Sequence, residues 1–480
     1  MMRPILLWFT RDLRLADHPA LDAAARSGDP IVALFVLDDA SWGSWARGAA
    51  SRWFLAGALE ALASAVRDRG GRLVLRRGRA DEVVASVARA VRARAVFWTR
   101  HYDPWGRSVE RRLEARLGEL GVEARAFPGF LIREPQEVLQ RDGEPYRVFT
   151  PFSRAWLAHQ PPHPPLPVPA RIAFADLGLP SETVETLALR PTKPDWARGL
   201  RACWDPSERG AEALLERFLE GPVWNYARDR DFPARAGGSR LSPHLAIGTV
   251  SPRRVYWAAL ARAEATGRGF PAVWPFVRQL VWREFAWSNL SHFPELPDRP
   301  LRREFEAFPW AVDARLLRAW QKGRTGYPIV DAGMRELWTT GWMHNRVRMI
   351  VGSFLTKDLR IPWQEGERWF WDTLVDADLA NNAMGWQWVA GCGIDAAPYF
   401  RIFNPVLQAK KFDPEGDYVR RWVPELARLP AAWIHEPWKA PPLVLEEAGV
   451  RLGLTYPPPI VDHEIARKEA LDAFAALRTG

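Results

Sequence analysis

Within its first 135 residues the chain carries four short runs that are apolar through most of their length: Ile5–Phe9, Ile31–Leu37, Arg72–Leu75 and Ala95–Trp98. Runs without polar alternation have no face to give to water, so they read as parallel strands buried on both sides. Between them lie amphipathic stretches. Ala49–Arg69 repeats Phe54, Ala58, Leu62 and Val66 at helical spacing, and Asp81–Val91 repeats Val84, Val87, Ala88 and Val91. Strand–helix alternation at this pitch predicts a doubly wound α/β, Rossmann-like domain over residues 1–135. No GxGxxG or Walker A sequence follows any of these strands, so a dinucleotide or P-loop site has no support there.

Residues 160–194 contain nine prolines, including Pro161-Pro162 and Pro164-Pro165-Leu166-Pro167. Proline has no amide donor and clashes inside a helix, so neither helix nor central strand fits. The stretch is read as part of a long interdomain connection, residues 136–206, running over the surface. After Pro206 the strand signals stop. Helices are expected at 208–220, 252–265, 273–288, 313–322, 328–339, 344–357 and 367–374, which makes residues 207–477 an all-α domain.

The 480 residues carry a net charge of +9, and 59 of the 66 basic residues are arginine. The excess charge points to an anionic partner, nucleic acid first, while the arginine bias is equally well explained by coding preference. The two cysteines, Cys203 and Cys392, form no CxxC pair, which argues against a disulfide framework or a thiolate metal site; no metal is expected. The first apolar run is too short for a signal peptide, and no stretch approaches a membrane span, so a cytoplasmic protein is expected. Tryptophan is the odd component: 26 residues, sixteen of them between Trp257 and Trp438. Cores use tryptophan sparingly because its N–H needs a partner. Such a concentration points to aromatic stacking, charge hopping, or both.

The densest polar–aromatic constellation is Asp376-Ala-Asp378-Leu-Ala-Asn-Asn382-Ala-Met-Gly-Trp386-Gln-Trp388. On a helix, Asn382 and Trp386 share a face at i and i+4, an arrangement suited to the wall of a redox cofactor, although a capped turn before a tryptophan-rich core helix reads the same residues. Gly341–Met349 places Asn345 with Met349 and His344 with Arg348, while Arg346 and Arg348 point in different directions. Gln279 and Trp282-Arg283-Glu284-Phe285 give a third helix of mixed polar and aromatic character. The turn Gly238-Ser239-Arg240-Leu241-Ser242-Pro243 offers amides and hydroxyls to an anion.

These segments, together with Trp8–Arg14, Arg240–Gly248, Lys322–Asp331 (KGRTGYPIVD), Phe149–Phe152 and Pro398–Pro405 (PYFRIFNP), resemble the photolyase/cryptochrome flavoproteins, in the same order from end to end. Within that family the resemblance is nearest to bacterial DNA photolyases that repair cyclobutane pyrimidine dimers. It implies an α/β antenna domain, a linker and a helical domain holding FAD, active in its reduced form. By resemblance, Tyr226, Gly238, Ser239, Arg240, Leu241 and Ser242 belong to the phosphate and ribitol site. Gln279, Trp282, Arg283 and Asn345 line the pocket, and Arg348 pairs with Asp376 beside the isoalloxazine, with Asp378 on the adenine side. Asn382 matches the residue facing flavin N5. Trp386, Trp363 and Trp310 match a chain of three tryptophans that carries electrons to the excited flavin.

The implied substrate is UV-damaged DNA, its dimer flipped out of the stack. Trp282 and Trp388 match the indoles that hold the dimer, Asn345 and Met349 its pocket, and Arg230, Arg346, Arg401 and Lys411 the phosphate contacts. Two positions depart from the pattern. Gln279 stands where most dimer photolyases have glutamate; six-four photolyases and animal cryptochromes have glutamine there, but six-four enzymes expect histidines at Asn345 and Met349. Gly238 replaces a hydroxyl residue. Trp105-Gly106 occupies the place of the Asn-Glu pair of folate-binding relatives, and Asp103-Pro-Trp-Gly-Arg107 resembles deazaflavin- or flavin-antenna relatives, so such an antenna is expected ahead of folate, with an empty antenna site as the equal alternative. The alternatives are a photosensory cryptochrome without repair activity, then a six-four photolyase, then a flavin-free, tryptophan-rich nucleic-acid-binding protein; the short stretch beyond the last helix counts against the cryptochrome, and a monomer is the family default.

Overall fold

The protein is described from a computed structural model, which covers residues 3–396 and 401–479. It divides into two compact units: Met1–Trp224 with Ser239–Pro294 and Val375–Asp378, and Asn225–Gly238 with Glu295–Leu374 and Leu379–Gly480.

The first unit is built on a five-stranded parallel sheet in the order β3-β2-β1-β4-β5. The strands are β1 (Ile5–Phe9), β2 (Ile31–Leu37), β3 (Leu73–Arg77), β4 (Ala95–Thr99) and β5 (Glu123–Phe127). Ile5 stands opposite Ile31 on one side and Ala95 on the other. Every residue of β1, β2 and β4 is buried, as expected of unbroken apolar runs covered by helices on both faces. The fifth strand was not expected. Its sequence Glu-Ala-Arg-Ala-Phe alternates exposed and half-buried positions at the sheet edge, which leaves no apolar run to read. The proline-rich connection covers the opposite edge: Ala175 N–H donates to Ile31 O and Ile31 N–H to Ala173 O, and Glu182 N–H donates to Leu75 O.

Three sheet-associated helices are α1 (Ala49–Arg67), α2 (Ala80–Ala90) and α3 (Pro104–Glu119). Proline at the first helical position and the Asp103 carboxylate, which accepts from Gly106 N–H at 2.8 Å, start α3. Two further helices matter to this unit, α4 (Pro252–Ala265) and α5 (Phe270–His292). The second is longer than the expected 273–288, and Pro275 lies inside it.

In the second unit the expected helix at 313–322 is α6 (Ala314–Gln321), with Asp313 as its cap, and α7 (Pro328–Thr340) ends on Gly341 in the left-handed region. The expected 344–357 helix is corrected. His344 lies outside, its Nδ1 accepting from Arg346 N–H at 3.2 Å, and α8 (Asn345–Ser353) passes into a π-helical turn at Phe354–Asp358. His344 therefore shares no helical face with Arg348. The expected 367–374 helix begins earlier, directly after Pro362, as α9 (Trp363–Thr373), and α10 (Leu379–Ala390) packs against it.

Candidate functional site

In the second unit, α10 carries Asn382 and Trp386 one turn apart, on one face. The Asn382 amide donates to Glu367 O at 3.0 Å, which fixes its orientation. Between them Gly385 has open space where a side chain would stand, so a flat ring can approach the helix backbone there. Trp386 is buried, and its indole lies on Gly366 of α9: a Cβ there would come within 2.1 Å of the ring. Trp363 is three residues from Gly366 on the same face of α9 and is also buried. Trp310 lies in an extended segment, half-exposed, against Phe308 at 4.5 Å. Trp388 is half-buried near Phe403.

On α8, Asn345 is exposed and Met349 half-buried, at i and i+4. Arg346 donates to Asp231 at 2.9 Å and lies 4.3 Å from the centre of the Phe412 ring. Arg348 donates to Met343 O at 2.9 Å. Burial, helped by Arg346, Arg348 and Arg230, pushes His344 down to about 4, so it is a neutral cap. Tyr226 carries the Arg230 guanidinium 5.3 Å from its ring centre. Arg401 and Lys411 are exposed, next to Phe403 and Phe412. Of the PYFRIFNP motif, residues 398–400 lie outside the described residues.

In the first unit, α5 presents Gln279, Trp282 and Arg283. The Gln279 amide donates to Pro275 O at 3.2 Å. One face of Trp282 is covered by Phe149, stacked at 3.6 Å and 5°, which leaves the indole half-buried. Arg283 is buried; it donates to Phe130 O at 2.9 Å, and its guanidinium lies 4.2 Å from the Phe130 ring centre. Next to it Glu284 accepts from Ile132 N–H and Arg133 N–H, and burial raises it to about 7. Asp378 accepts from Trp287 Nε1 at 3.0 Å, and Asp376 is buried. In the turn, Gly238 has open space at its Cβ position, Arg240 takes φ +56°, Leu241 is buried, and Ser239 and Ser242 keep surface exposure.

The open space at Gly385 beside the fixed amide of Asn382 fits the approach of a flat heteroaromatic ring. Among the described residues no group of three or more His, Cys, Asp or Glu side chains is placed to hold a metal ion, and no helix is long and apolar enough to cross a membrane.

Residues 276–476 match the family model described as the FAD binding domain of DNA photolyase, and residues 5–170 match that described as DNA photolyase. The chain is 46% identical to the deoxyribodipyrimidine photo-lyase of Agrobacterium fabrum, over 99% of this chain and 98% of that protein. It is 39% identical to cryptochrome-1 of Arabidopsis thaliana, over 98% of this chain and 70% of that protein. The chain belongs to the photolyase/cryptochrome family. Among solved structures it is similar to a bacterial class III photolyase from Agrobacterium tumefaciens, with a TM-score of 0.96 over 100% of this chain and 98% of that one. A Synechocystis cryptochrome matches at 30% identity and a TM-score of 0.90, over 98% of this chain and 99% of that one.

Sequence reasoning missed the residues that fix this photolyase-like constellation from afar. Phe149 backs Trp282, Phe130 backs Arg283, and Asp231 holds Arg346. The Asp103-Pro-Trp-Gly-Arg107 run begins just past the carboxyl end of β4, beside β1, where the strand order reverses. There Asp103 accepts from Trp42 Nε1 at 3.0 Å and pairs with Arg11 at 3.3 Å, while the His101 ring lies 5.5 Å from Trp8 and 5.8 Å from Trp42.

Proposed function

We propose that the protein is a light-driven DNA repair enzyme that splits cyclobutane pyrimidine dimers, with FAD as its cofactor. The observation that carries this is the identity of 46% with a deoxyribodipyrimidine photo-lyase along nearly the whole of both chains. When bound and reduced, FAD supplies a light-driven electron to the dimer and its return after the ring opens. The chain's own residues bind and orient. Tyr226, Ser239, Arg240, Leu241 and Ser242, with Gly238, take the phosphates and ribitol, and Arg283, Asn345, Arg348, Asp376 and Asp378 line the cofactor. Asn382 sets its amide toward the ring, and Trp386, Trp363 and Trp310 relay electrons inward. No acid–base pair or nucleophile is required.

Stacking on Trp282 and Trp388, worth about 1–3 kcal/mol per base, holds the extruded lesion beside Asn345, Met349 and Gln279. Arg230, Arg346, Arg401 and Lys411 take backbone phosphates, which makes affinity fall with salt. Arg346 then shares its guanidinium between phosphate and Asp231. Residues 1–135 serve as the antenna domain, with a deazaflavin or flavin ahead of folate as its chromophore, residues 207–477 serve as the catalytic domain, and the protein acts as a cytoplasmic monomer.

The test is repair of a thymine-dimer oligonucleotide by the reduced holoprotein, with blue light on and off. Light-dependent loss of the dimer is expected. Bound FAD with intact photoreduction and no repair, on cyclobutane or six-four lesions, overturns the reading in favour of a photoreceptor.

A further inference from the structure

We propose that Asp231 sets the strength and the salt dependence of DNA binding, by occupying a phosphate-contacting guanidinium until a phosphate displaces it. The proposal rests on the DNA reading above and adds one residue to that surface. Of the four cations assigned to phosphates, Arg230, Arg401 and Lys411 lie against aromatic rings and have no carboxylate partner among the described residues. Arg346 differs. Its guanidinium lies 4.3 Å from the centre of the Phe412 ring and donates to Asp231 at 2.9 Å. Its Nε is buried without a hydrogen-bond partner among the described residues.

The place of Arg346 in the chain explains why an anion is wanted beside it. It is the second residue of α8, and the N-terminal end of a helix carries partial positive charge, which disfavours a cation. Arg230 and Arg348 add their own charge: with Arg346 they push His344 down, while Asp231 acts the other way. The free protein meets the need with a carboxylate, and bound DNA meets it with a phosphate. The two anions compete for one guanidinium. The Arg346 side chain is 18% exposed and that of Asp231 36%, so solvent reaches the pair and it can open. Two residues away, Asp229 is taken up by Arg228 and Arg235 instead, neither of them assigned to a phosphate. A phosphate contact that must first break an ion pair adds less to affinity than a free one. Sequence-independent binding is thereby held weak, and the protein leaves undamaged or repaired DNA readily. The hold on the lesion itself, through stacking of the extruded bases, is untouched.

The experiment measures binding of the FAD-loaded protein, in the dark, to one duplex oligonucleotide, undamaged or carrying a thymine dimer, over a series of salt concentrations. Asp231→Asn keeps an acceptor for Arg346 and removes the charge. It should tighten binding about fivefold at low salt, by the same factor on both duplexes. The slope of log K against log salt should steepen by up to about 0.9, the share of one further phosphate contact. Asp231→Glu keeps the charge and should leave the slope as it is. In an Arg346→Gln background there is no guanidinium to release, and Asp231→Asn should no longer change the slope. Binding that is unchanged or weaker in Asp231→Asn, at equal flavin content, overturns the proposal and leaves the carboxylate a prop for Arg346. A slope that steepens equally with and without Arg346 overturns it in favour of net charge alone. No binding of the unaltered protein to either duplex overturns the DNA reading and the proposal together.

Discussion

The buried acids at the sheet differ from those of the helical unit. Asp12, Asp17 and Asp81 each have a basic side chain built beside them, whereas Glu284 of α5 follows burial and is raised to about 7. Burial alone would raise Asp12, but His18 at 3.0 Å brings it below the usual range. Asp17 is lowered in the same way by Arg253 and Arg14, and Asp81 by Arg112 and Arg116. In the helical unit burial wins. It pushes Asp358 and Asp413 up to about 6 and raises Asp331 and Glu367; both Glu367 carboxyl oxygens are buried without a hydrogen-bond partner. A parallel sheet brings loops from separate strands together at its ends, and these supply paired charges. In the helical unit the partners present, His463 beside Asp358 among them, do not offset burial, so these acids keep their protons to a higher pH than the acids at the sheet.

The comparison breaks most visibly at Asp17. Its carboxylate is buried with Arg253 and accepts from Ser251, and Arg14 is fully buried beside it. Asp17→Ala leaves the Arg253 guanidinium without its carboxylate and takes the nearest negative charge from Arg14, which keeps its main-chain partners, and a loss of about 3–5 kcal/mol of stability is expected by denaturant unfolding. Glu367→Gln, which replaces a neutral acid by a neutral amide, should cost little at neutral pH. An equal loss from both would abolish the distinction between the units.

The pH dependence follows with its sign. The folded state raises Asp413 from 3.8 to about 6, so the native protein binds the proton more tightly than the unfolded chain. Its contribution is fully present below pH 4 and is lost as pH rises to 6, on the order of 3 kcal/mol. Asp413→Asn should shrink the stability difference between pH 4 and pH 7 measured by urea titration. The lowered Asp12, Asp17 and Asp81 run the other way: their contribution is present above pH 4 and is lost as pH falls through their folded values. Unfolding of the sheet unit below pH 4 is therefore expected to persist in Asp413→Asn.

How much of this was legible in the sequence follows the same division. Ile5–Phe9 and Ile31–Leu37 announce themselves because a strand buried on both faces has no polar position to confuse the pattern. Glu123–Phe127 was hidden because an edge strand alternates. Among helices, the limits of α8 were misread because His344 spends its ring on a cap and the backbone widens at Phe354–Asp358, neither of which changes apolar spacing. The candidate site was readable through motif resemblance at Asn382, Trp386 and Trp282. Gly366 and Phe130 were not readable, since each meets its partner from a distant segment and is visible only once the chain has packed.

Tightness around Trp386 gives the next expected effect. Gly366→Ala places a methyl inside the indole ring's space, and overpacking should cost about 1–3 kcal/mol. Light-driven reduction of bound FAD should slow with it, because Trp386 must move. A variant with unchanged stability and photoreduction would show that the helical core yields where its distances say it does not.

The smallest effect is the most specific to the cofactor. Gly385 lies on the same helix as Trp386 but has no atom within 4 Å of a built Cβ. In a helix interior, replacing glycine by alanine stabilises by about 0.5–1 kcal/mol through backbone entropy alone. Gly385→Ala should therefore raise the melting temperature of the FAD-free protein. If the open space belongs to the cofactor, the same methyl stands in its way, and the variant should retain less FAD after dialysis. Stabilisation without loss of FAD would place the flat ring elsewhere on the helix, and loss of FAD without stabilisation would mean that the space around Gly385 closes before the cofactor arrives. Because the two readouts move in opposite directions, a general loosening of the fold cannot imitate the expected result.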